Sequence, residues 1–356
     1  MTIYFYEPPP RQKLGGLDLA VRSLERYLTN NNVTVKNCID FGVDRTKSDK
    51  VGLNRTNPST LVHFHGLGQP GFLKSSRRCR NAKIPYLVSP HGMLEPWAWN
   101  QKRWKKWPYF LLFERRHLKG AARLLATSEL EANNVRRFFP EVPCPVIPLG
   151  LPEQHRPDYA AARSRLGWEP AEKILLFLSR IHPKKGLELL LKALAATPAR
   201  DSLNVRLVII GEGEPAYVRR LQASVEALKD NLPRVNWLGP IWGEQKWSYL
   251  QGADLFCLPS FSENFGLAVL EALQVGARVL TTNTGPWEFL REWNAGFVVD
   301  PTVEGVRQGL AAFLAEPGWS DTARFRLADR VRQRFGWETI GPEYLQLYQS
   351  LLQKVA

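Results

Sequence analysis

The chain has 356 residues, of which 44% are hydrophobic and 23% are charged, so it is long enough for two globular domains, each with its own core. No apolar run reaches the length of a bilayer-spanning helix, which excludes an integral helical membrane protein. The net charge of +14 predicts an anionic partner, and nucleic acid, an anionic membrane and a phosphorylated substrate all satisfy it.

The chain opens with MTIYFYEPPP, a short apolar run that prolines end and no basic residues precede. This pattern predicts a buried first strand and not a signal peptide, so we expect a cytoplasmic protein. The four cysteines, Cys38, Cys79, Cys144 and Cys257, form no C-x-x-C pair and have no histidine at metal-ligand spacing. We therefore expect reduced thiols, with neither a disulfide framework nor zinc.

Strand-like and helix-like segments alternate through the first half of the chain. Strands are predicted at residues 3–6, 33–39, 61–64, 86–89, 124–127 and 146–148, and a helix at residues 17–28. This order is typical of a doubly wound parallel sheet. Gly15 and Gly16 stand where the chain enters the first helix, where they either bring bare amides to a phosphate or form a plain turn.

Two histidines follow predicted strands and precede glycines: His65 in the sequence VHFHG and His91 in SPHG. Ligands bind outside the carboxyl ends of the strands in open α/β sheets, so this position favours a functional role for both. His63 points instead to a structural role.

Residues 97–119 combine aromatic and basic side chains, with Glu114 as the one acid. We assign to an acceptor or membrane side of the molecule His65 together with Trp97, Trp99, Lys102, Arg103, Trp104, Lys105 and Lys106. Such a segment can lie in an anionic membrane interface, or its aromatic side chains can simply pack on the core. Stacking on single-stranded nucleic acid is a third interpretation.

A run of prolines and a glycine at residues 148–157 predicts a linker. The alternation then restarts, with strands predicted at 173–179, 206–210, 235–238, 255–258, 278–282 and 296–299 and helices at 187–195, 216–228, 247–250, 267–274 and 287–292. A last helix at 340–352 is long enough to return to the first domain. We therefore predict domains at 1–152 and 153–335 and a returning helical segment at 336–356.

Two loops of the second half carry candidate ligand-binding residues. Arg180 and Lys185, five residues apart between a strand and a helix, have the placement to clamp a diphosphate. In PSFSENFGLAVLEALQVG, residues 259–276, a loop enters a helix, with Glu263 at its mouth and Glu271 inside it. First-turn amides and two carboxylates suit a sugar nucleotide, although by spacing alone two ordinary surface acids are the simpler interpretation.

Taken together in this order, the motifs resemble the retaining nucleotide-sugar glycosyltransferases of the GT-B type, glycosyltransferase family 4. The resemblance includes the Gly-Gly loop, Ser-Pro-His-Gly, Arg-x4-Lys-Gly, Gly-Glu-Gly and Ser-Glu-Asn-Phe-Gly-x4-Glu, and it extends over nearly the whole chain. It implies two Rossmann-like domains whose parallel sheets face each other across a cleft, with the C-terminal helix packing back on the first domain.

The resemblance also implies roles for individual residues. Arg180 and Lys185 would hold the diphosphate in place of a metal, in agreement with the lack of an Asp-x-Asp motif, and no other cofactor is implied. Glu271 would hold the ribose, Glu263 the donor sugar near its C3 hydroxyl, and His91 would lie beside that sugar. The remaining implied contacts are Gly15 and Gly16 to phosphate, Leu238 and Gly239 to the base, and the amides of Asn264, Phe265, Gly266 and Leu267 to the sugar.

For the reaction, we expect a retaining transfer of a hexose, glucose first, from a UDP-sugar to a saccharide or lipid-linked acceptor. Glu263 is a candidate nucleophile by its chemistry, but its implied place near C3 favours front-side attack, with a leaving phosphate oxygen taking the acceptor proton. We count His91, Glu263, Arg180 and Lys185 as the catalytic candidates. The basic Trp-rich segment predicts that the enzyme works at the inner face of a membrane during polysaccharide or envelope assembly.

Two rivals stay open at this point. A UDP-sugar epimerase would share the two-domain fold and the UDP site, but it would need acid and base pairs at the sugar. A basic nucleic-acid-binding protein is a rival from another class, although the sequence has no RNP, helix-turn-helix or zinc signature. We therefore expect no nucleic-acid partner.

Overall fold

The computed structural model describes residues 1–7, 16–39, 59–97, 103–151, 155–197 and 204–353. The chain divides into two compact units, unit 1 with Met1–Glu153 and Arg334–Ala356, and unit 2 with Gln154–Gln333. Three of the predicted site residues, Gly15, Trp99 and Lys102, lie outside the described residues, and so do the side chains of Arg103, Lys105 and Lys106.

Unit 1 contains a five-stranded sheet in which every described pairing is parallel, in the order β2-β1-β3-β4-β5. The strands are β1 (Thr2–Glu7), β2 (Thr34–Ile39), β3 (Thr60–His65), β4 (Tyr86–Ser89) and β5 (Arg123–Leu124). The helices are α1 (Gly16–Asn30), α2 (Pro70–Ala82), α3 (Arg103–Tyr109), a π-helical turn (Phe110–Glu114), α4 (Arg115–Lys119) and α5 (Glu129–Phe138).

The C-terminal helix α14 (Trp337–Gln353) packs on the sheet of unit 1. Its Tyr344 and Tyr348 join Ile3, Phe5 and Leu61 in one buried cluster. Burial of such aromatic side chains is among the strongest contributions to a core, so the return of this helix to the first unit is driven by its apolar face. The predicted return of the C-terminal helix is confirmed.

Unit 2 contains a six-stranded sheet, also parallel, in the order β11-β10-β9-β6-β7-β8. The strands are β6 (Lys173–Leu178), β7 (Val205–Ile210), β8 (Arg234–Gly239), β9 (Leu255–Leu258), β10 (Arg278–Thr282) and β11 (Gly296–Val299). The helices are α6 (Tyr159–Leu166), α7 (Leu187–Ala195), α8 (Pro215–Ala227), α9 (Glu244–Gly252), α10 (Leu267–Gln274), α11 (Phe289–Glu292), α12 (Val303–Ala315) and α13 (Asp321–Phe335).

The central strands of both sheets read as continuous apolar runs because helices cover both faces. Every residue of β7 and of β9 is buried, as parallel sheets require. The carboxyl ends of these strands lie at one edge of each sheet and are followed by the loops that carry the candidate site residues. The predicted doubly wound α/β class, with two Rossmann-like halves, is confirmed.

One predicted strand is wrong. Residues 146–148 form only an isolated bridge, between Val146 and Ala126, because Pro145 and Pro148 have no amide hydrogen to donate to a ladder. The neighbouring strand β5 is accordingly short, at two residues. Helix α2 was not recognised in the sequence because two of its buried positions are the serines Ser75 and Ser76, which weakens the apolar period.

In the described part of the chain, no helix is both long enough and apolar enough to cross a membrane.

Candidate active site

The loop between β9 and α10 depends on a glycine at its last position. Gly266 has a φ of 63°, and a Cβ atom there would lie 2.6 Å from the Trp287 ring. Both the left-handed backbone and the close ring exclude larger side chains. The chain therefore enters α10 abruptly, and the first-turn amides of that helix, which have no partners inside the helix, begin directly after the loop.

Glu263 is the most constrained residue of this loop. Its Oε1 accepts a hydrogen bond from Lys185 Nζ at 2.5 Å and another from the Ser260 hydroxyl at 2.7 Å. The residue is 5% exposed. Burial would raise the pKa of this carboxyl, but the Lys185 ammonium and the Ser260 hydroxyl outweigh it and hold the pKa below its ordinary value. Glu263 is therefore an oriented, ionised carboxylate.

The end of β10 fixes the backbone of the same loop. The Glu263 amide donates to the Thr284 carbonyl at 3.3 Å, and the Thr284 hydroxyl donates to the Ser260 carbonyl at 2.9 Å. The loop that holds Glu263 is thus pinned at both its backbone and its side chain, which is the rigidity that a positioning residue needs.

The loop after β6 packs against the loop after β9. Gly186 has a φ of 71°, a Cβ atom there would lie 1.9 Å from the Pro259 carbonyl oxygen, and the Phe261 amide donates to the Lys184 carbonyl at 2.8 Å. This contact explains how Lys185 reaches Glu263. Arg180 is exposed at the end of β6 and makes no ion pair with the described residues.

Glu271 lies in α10, and its carboxylate is paired with a lysine that the sequence analysis did not identify. Lys246 Nζ of α9 lies 2.9 Å from Glu271 Oε1, and the two side chains are 12% and 10% exposed. The same ammonium lies 4.4 Å from the centre of the Trp247 ring. Glu263 and Glu271, the two acids of the stretch at residues 259–276, therefore each have a lysine counter-ion.

The end of β8 carries the residues predicted to contact a base. Leu238 is 41% exposed, and Gly239 has a φ of 74° at an irregularity where its carbonyl accepts from the Gly211 amide at 2.9 Å. A bulge at a strand end re-aims the backbone and leaves its polar groups available at the edge. The exposed Leu238 side chain beside it offers an apolar contact.

In unit 1 the strand ends carry a stack of histidines. His65 Nδ1 lies 3.2 Å from His91 Nε2, while His63 contacts the Tyr348 hydroxyl at 3.0 Å and the Ser89 hydroxyl at 2.8 Å. Burial lowers the pKa of His91 to about 3 and the pKa of His63 and His65 well below the ordinary value. The structural role predicted for His63 is confirmed, and His65 and His91 form a neutral pair at the sheet edge.

A buried acid outside the predicted set, Glu131, holds the His91 loop. His91 and Gly92 both have positive φ, at 52° and 76°. Glu131 Oε1 accepts from the Gly92 amide at 2.6 Å, and its Oε2 accepts from the Thr127 amide and hydroxyl. The Ser128-x-x-Glu131 spacing is a capping-box pattern that signals a helix start, but it does not reveal the longer-range bond to Gly92.

The Trp-rich segment, residues 97–119, exposes apolar side chains. The sequence predicts either that such side chains contact a membrane or that they pack on the core. Trp97, at the start of the segment, is half-buried. Outside the segment, Gly16, which is predicted as a ligand contact, is the first residue of α1. Among the described residues of the segment, the exposed large hydrophobic side chains are Trp104 at 74%, Trp107 at 39%, Leu111 at 48%, Leu112 at 70% and Phe113 at 47%. In the same described part, Phe110, Glu114, His117 and Leu118 are buried.

Among the residues that the structure describes, no three histidine, cysteine, aspartate or glutamate side chains come together as metal ligands. The four cysteines, all of them described, form no disulfide with one another.

Comparison with known proteins identifies the family. The family described as "Glycosyl transferases group 1" matches residues 158–334, and the one described as "Glycosyl transferase 4-like domain" matches residues 7–150. The chain belongs to the group 1 glycosyltransferases. The matched ranges correspond closely to the two units, and they contain the Lys185–Glu263 and Lys246–Glu271 pairs and His91.

Two curated relatives of the chain share a name. The chain is 31% identical over 245 residues to the "D-inositol 3-phosphate glycosyltransferase" of Rhodococcus jostii, with 66% of this chain and 54% of the relative covered. It is 31% identical over 249 residues to the protein of the same name from Segniliparus rotundus, with 65% and 53% covered. The chain thus spans about half the length of the curated relatives that it matches.

Solved structures share the fold over nearly the whole chain. The sucrose-phosphate synthase of Thermosynechococcus elongatus has a TM-score of 0.78 at 21% identity, with 99% of this chain and 100% of that one covered. Anabaena HepE, solved with UDP and glucose, has a TM-score of 0.71 at 18% identity, with 98% and 100% covered. At this level of identity the likeness establishes the GT-B fold alone.

Proposed function

We propose that this protein is a retaining, metal-independent glycosyltransferase that moves a hexose, glucose first, from a UDP-sugar to a saccharide or lipid-linked acceptor. The observation that carries the proposal is the Lys185–Glu263 pair, 2.5 Å apart at the carboxyl ends of the unit 2 strands. A cation and an oriented carboxylate at that edge match a diphosphate and the sugar attached to it.

Lys185 would contact the diphosphate and share its charge with Glu263, while the exposed Arg180 would approach the diphosphate from the other side. As the bond between the anomeric carbon and the diphosphate oxygen breaks, negative charge grows on the leaving group. A preorganised cation stabilises that charge more in the transition state than in the ground state. In this proposal the two cations supply the electrostatic stabilisation of the leaving group.

Front-side attack is the mechanism that we favour over a covalent intermediate. Oε1 of Glu263 already accepts two hydrogen bonds, and its low pKa makes the carboxylate a weak nucleophile. We therefore assign Glu263 to the orientation of the sugar. The acceptor oxygen bonds to the anomeric carbon on the face that the diphosphate leaves, and a phosphate oxygen takes the acceptor proton.

Several features support UDP and glucose as first choices. The solved structures with a similar fold include HepE, described in complex with UDP-glucose, and a trehalose-phosphate synthase described as UDP-forming. In this proposal Glu271 binds the ribose, Leu238 and Gly239 contact the base, and the amides at residues 264–267 bind the sugar hydroxyls. The role of His91 beside the donor sugar stays a prediction.

An assay of donor binding and donor hydrolysis tests the proposal. The protein is incubated with UDP-glucose, UDP-galactose, UDP-N-acetylglucosamine and GDP-mannose in turn, with and without EDTA, and thermal shift reports binding of each. We expect stabilisation by one donor and slow release of free sugar without acceptor, unchanged by EDTA. A new UDP-sugar in place of hydrolysis would favour the epimerase, and tight oligonucleotide binding without any nucleotide response would favour the nucleic-acid reading.

We also propose that the Trp-rich segment associates with an anionic membrane. Trp104, Trp107, Leu111, Leu112 and Phe113 are exposed, and Arg115, Arg116 and Lys119 lie within the next six residues of the sequence. Apolar side chains beside basic ones are the composition of an interfacial helix, and anionic headgroups complement the basic residues. This surface would bring the enzyme to a lipid-linked acceptor.

Vesicle sedimentation tests the membrane proposal. We expect binding to vesicles with anionic lipid that weakens in salt, and a clear loss of binding in Leu112→Ser. The matched control is Phe325→Ser, which changes an exposed side chain of unit 2 that is 43% accessible. Binding that is equal in both variants, or no binding of the unchanged protein, would contradict it.

A further inference from the structure

Lys246 is a nearly buried ammonium with few partners. Its side chain is 12% exposed, and among the described residues its Nζ donates to Glu271 Oε1 at 2.9 Å. An ammonium has three hydrogens to donate, and buried polar groups in native proteins normally use theirs. Lys246 therefore has unused donor capacity at a site that is almost closed to water.

Two contacts keep this ammonium in place. The Glu271 carboxylate lies on one side, and the Trp247 ring lies 4.4 Å from Nζ on another. A cation between a carboxylate and an aromatic face is held by both charge and ring quadrupole. Lys246 is thus oriented before any ligand arrives.

Stability alone is a weak reason for such a pair. Removing both charges from water costs about as much as their attraction returns, so buried ion pairs often contribute little to folding. A comparable lysine pair on α7, between Lys192 and Glu188, has the same 2.9 Å separation, with side chains 57% and 42% exposed. The enclosed pair therefore needs a further explanation.

The position of Lys246 along the chain supplies one. The loop after β8 joins Leu238 and Gly239 to α9, and the Lys246 amide donates to the Gly243 carbonyl at 3.2 Å at the start of that helix. Lys246 thus lies in the first turn of the helix that follows the proposed base contact, and its ammonium contacts the carboxylate proposed to bind the ribose.

We propose that Lys246 and Glu271 together read the ribose diol of the donor nucleotide, an inference that rests on the proposed function. A hydroxyl both donates and accepts, so it can donate a hydrogen bond to the Glu271 carboxylate while its oxygen accepts one from the Lys246 ammonium. The ligand is a ribonucleoside diphosphate, and Lys246 is a binding residue for its sugar. Without one of the two ribose hydroxyls, a charged group of the pair stays one hydrogen bond short in an enclosed site.

Nucleotide binding without transfer tests this proposal. Isothermal titration calorimetry compares UDP with 2′-deoxy-UDP and 3′-deoxy-UDP on the unchanged protein, Lys246→Met and Lys192→Met. We expect the unchanged protein and Lys192→Met to bind at least one deoxynucleotide about tenfold to a hundredfold more weakly than UDP, the range for a hydrogen bond to a charged group. Lys246→Met should bind UDP more weakly and lose most of that discrimination.

A second variant guards against misfolding. Lys246→Arg keeps the charge and should retain most of the discrimination, whereas Lys246→Gln should lose it. Equal discrimination in Lys246→Met and in the unchanged protein would overturn the proposal and leave Lys246 as a structural residue. Failure of the unchanged protein to bind UDP, GDP or ADP would instead contradict the proposed donor function, so the two failures are distinguishable.

Discussion

The strand ends of the two units are built from opposite kinds of polar group. In unit 2 the edge carries charges, with Lys185 paired to Glu263 and Lys246 paired to Glu271. In unit 1 the edge carries His65 and His91, which burial keeps neutral. The polar groups of these pairs are largely buried at both edges, but the pairs of unit 2 balance charge with counter-ions and the histidine pair of unit 1 removes it.

The two edges suit different ligands, although both are the carboxyl edges of parallel sheets. At the unit 2 edge, the Lys185 ammonium can attract an anionic diphosphate, and the Lys246–Glu271 pair offers a diol both a donor and an acceptor. A neutral imidazole pair offers one donor and one acceptor, which suits hydroxyl groups and does not attract phosphate. The contrast is the one expected if, as proposed, unit 2 binds the nucleotide.

The largest expected effect comes from removing one charge of the unit 2 edge. Lys185→Met leaves Glu263 charged and buried without its counter-ion, so we expect the free energy of unfolding to fall by about 3 kcal/mol, the range for a broken buried pair. The proposed turnover should fall by about 100-fold to 1000-fold because leaving-group stabilisation is lost. Urea unfolding and initial rates measure the two effects.

Two further variants show how much of the lost stability comes from the unpaired charge of Glu263. Lys192→Met breaks an exposed pair and should change the free energy of unfolding by less than about 0.5 kcal/mol. The double variant Lys185→Met with Glu263→Gln should recover most of the stability and none of the turnover. Recovery of both would show that the pair has no part in the reaction.

The second expected effect is a loss of stability at low pH, caused by the buried, neutral His117 of unit 1. His117 is 1% exposed, neither ring nitrogen has a hydrogen-bond partner among the described residues, and burial, with a smaller effect of Arg80, lowers its pKa to about 3. The unfolded chain takes up the proton below pH 6.5, so stability is lost as the pH falls below that value. At pH 5 the loss is about 2 kcal/mol for one such group.

His117→Phe should remove this loss. The ring stacks on Tyr86 and lies edge-on to Phe64, and phenylalanine can keep both contacts. We expect the variant to be more stable than the unchanged protein at pH 5 and closer to it at pH 7.5, measured by urea unfolding at both values. His155→Phe in unit 2, where the histidine is half-buried against Trp247, is the control. An equal gain at both pH values would assign the effect to packing alone.

The sequence predicted the parts of the site that depend on local spacing. These parts lie at strand ends because a parallel sheet places its ligand edge there. They are the loop and helix at residues 259–274, the loop from Arg180 to Lys185, and the histidines at the ends of β3 and β4. The helix bounds of α10 agree with the apolar period of residues 267–274. These features need only a few neighbouring residues to specify them.

Long-range partners could not be predicted in the same way. Lys246 is 25 residues from Glu271, and Glu131 is 39 residues from Gly92, so no spacing rule connects them. The pairing of Lys185 with Glu263 depends on the close approach of Gly186 to the Pro259 carbonyl, which only the fold reveals. Charge balance at a site is a tertiary property, whereas the placement of the site follows from strand order.

The last expected effect concerns Glu114, the one acid in the sequence of the Trp-rich segment. Glu114 is 3% exposed, its Oε1 accepts from the Gly68 amide at 2.7 Å, and its Oε2 has no hydrogen-bond partner among the described residues. Burial raises the pKa of this carboxyl to about 7, against the opposing effect of the Gly68 amide. Because the folded protein binds this proton more tightly than the unfolded chain, stability falls as the pH rises from about 4.5 to about 7. The neutral form is thus the stable one, as for the histidines of the same unit.

Glu114→Gln keeps the acceptor for Gly68 and cannot ionise. We expect the variant to be clearly more stable than the unchanged protein at pH 8 and to show little gain at pH 4.5, since the carboxyl of the folded protein is already neutral there. Urea unfolding at the two pH values measures the difference. Glu141→Gln, which alters an exposed acid paired with Lys119, should show no such gain at pH 8. If Glu114→Gln is destabilised at pH 8, the folded protein needs the charge of Glu114, and unit 1 does not exclude buried charge as the comparison of the two edges requires.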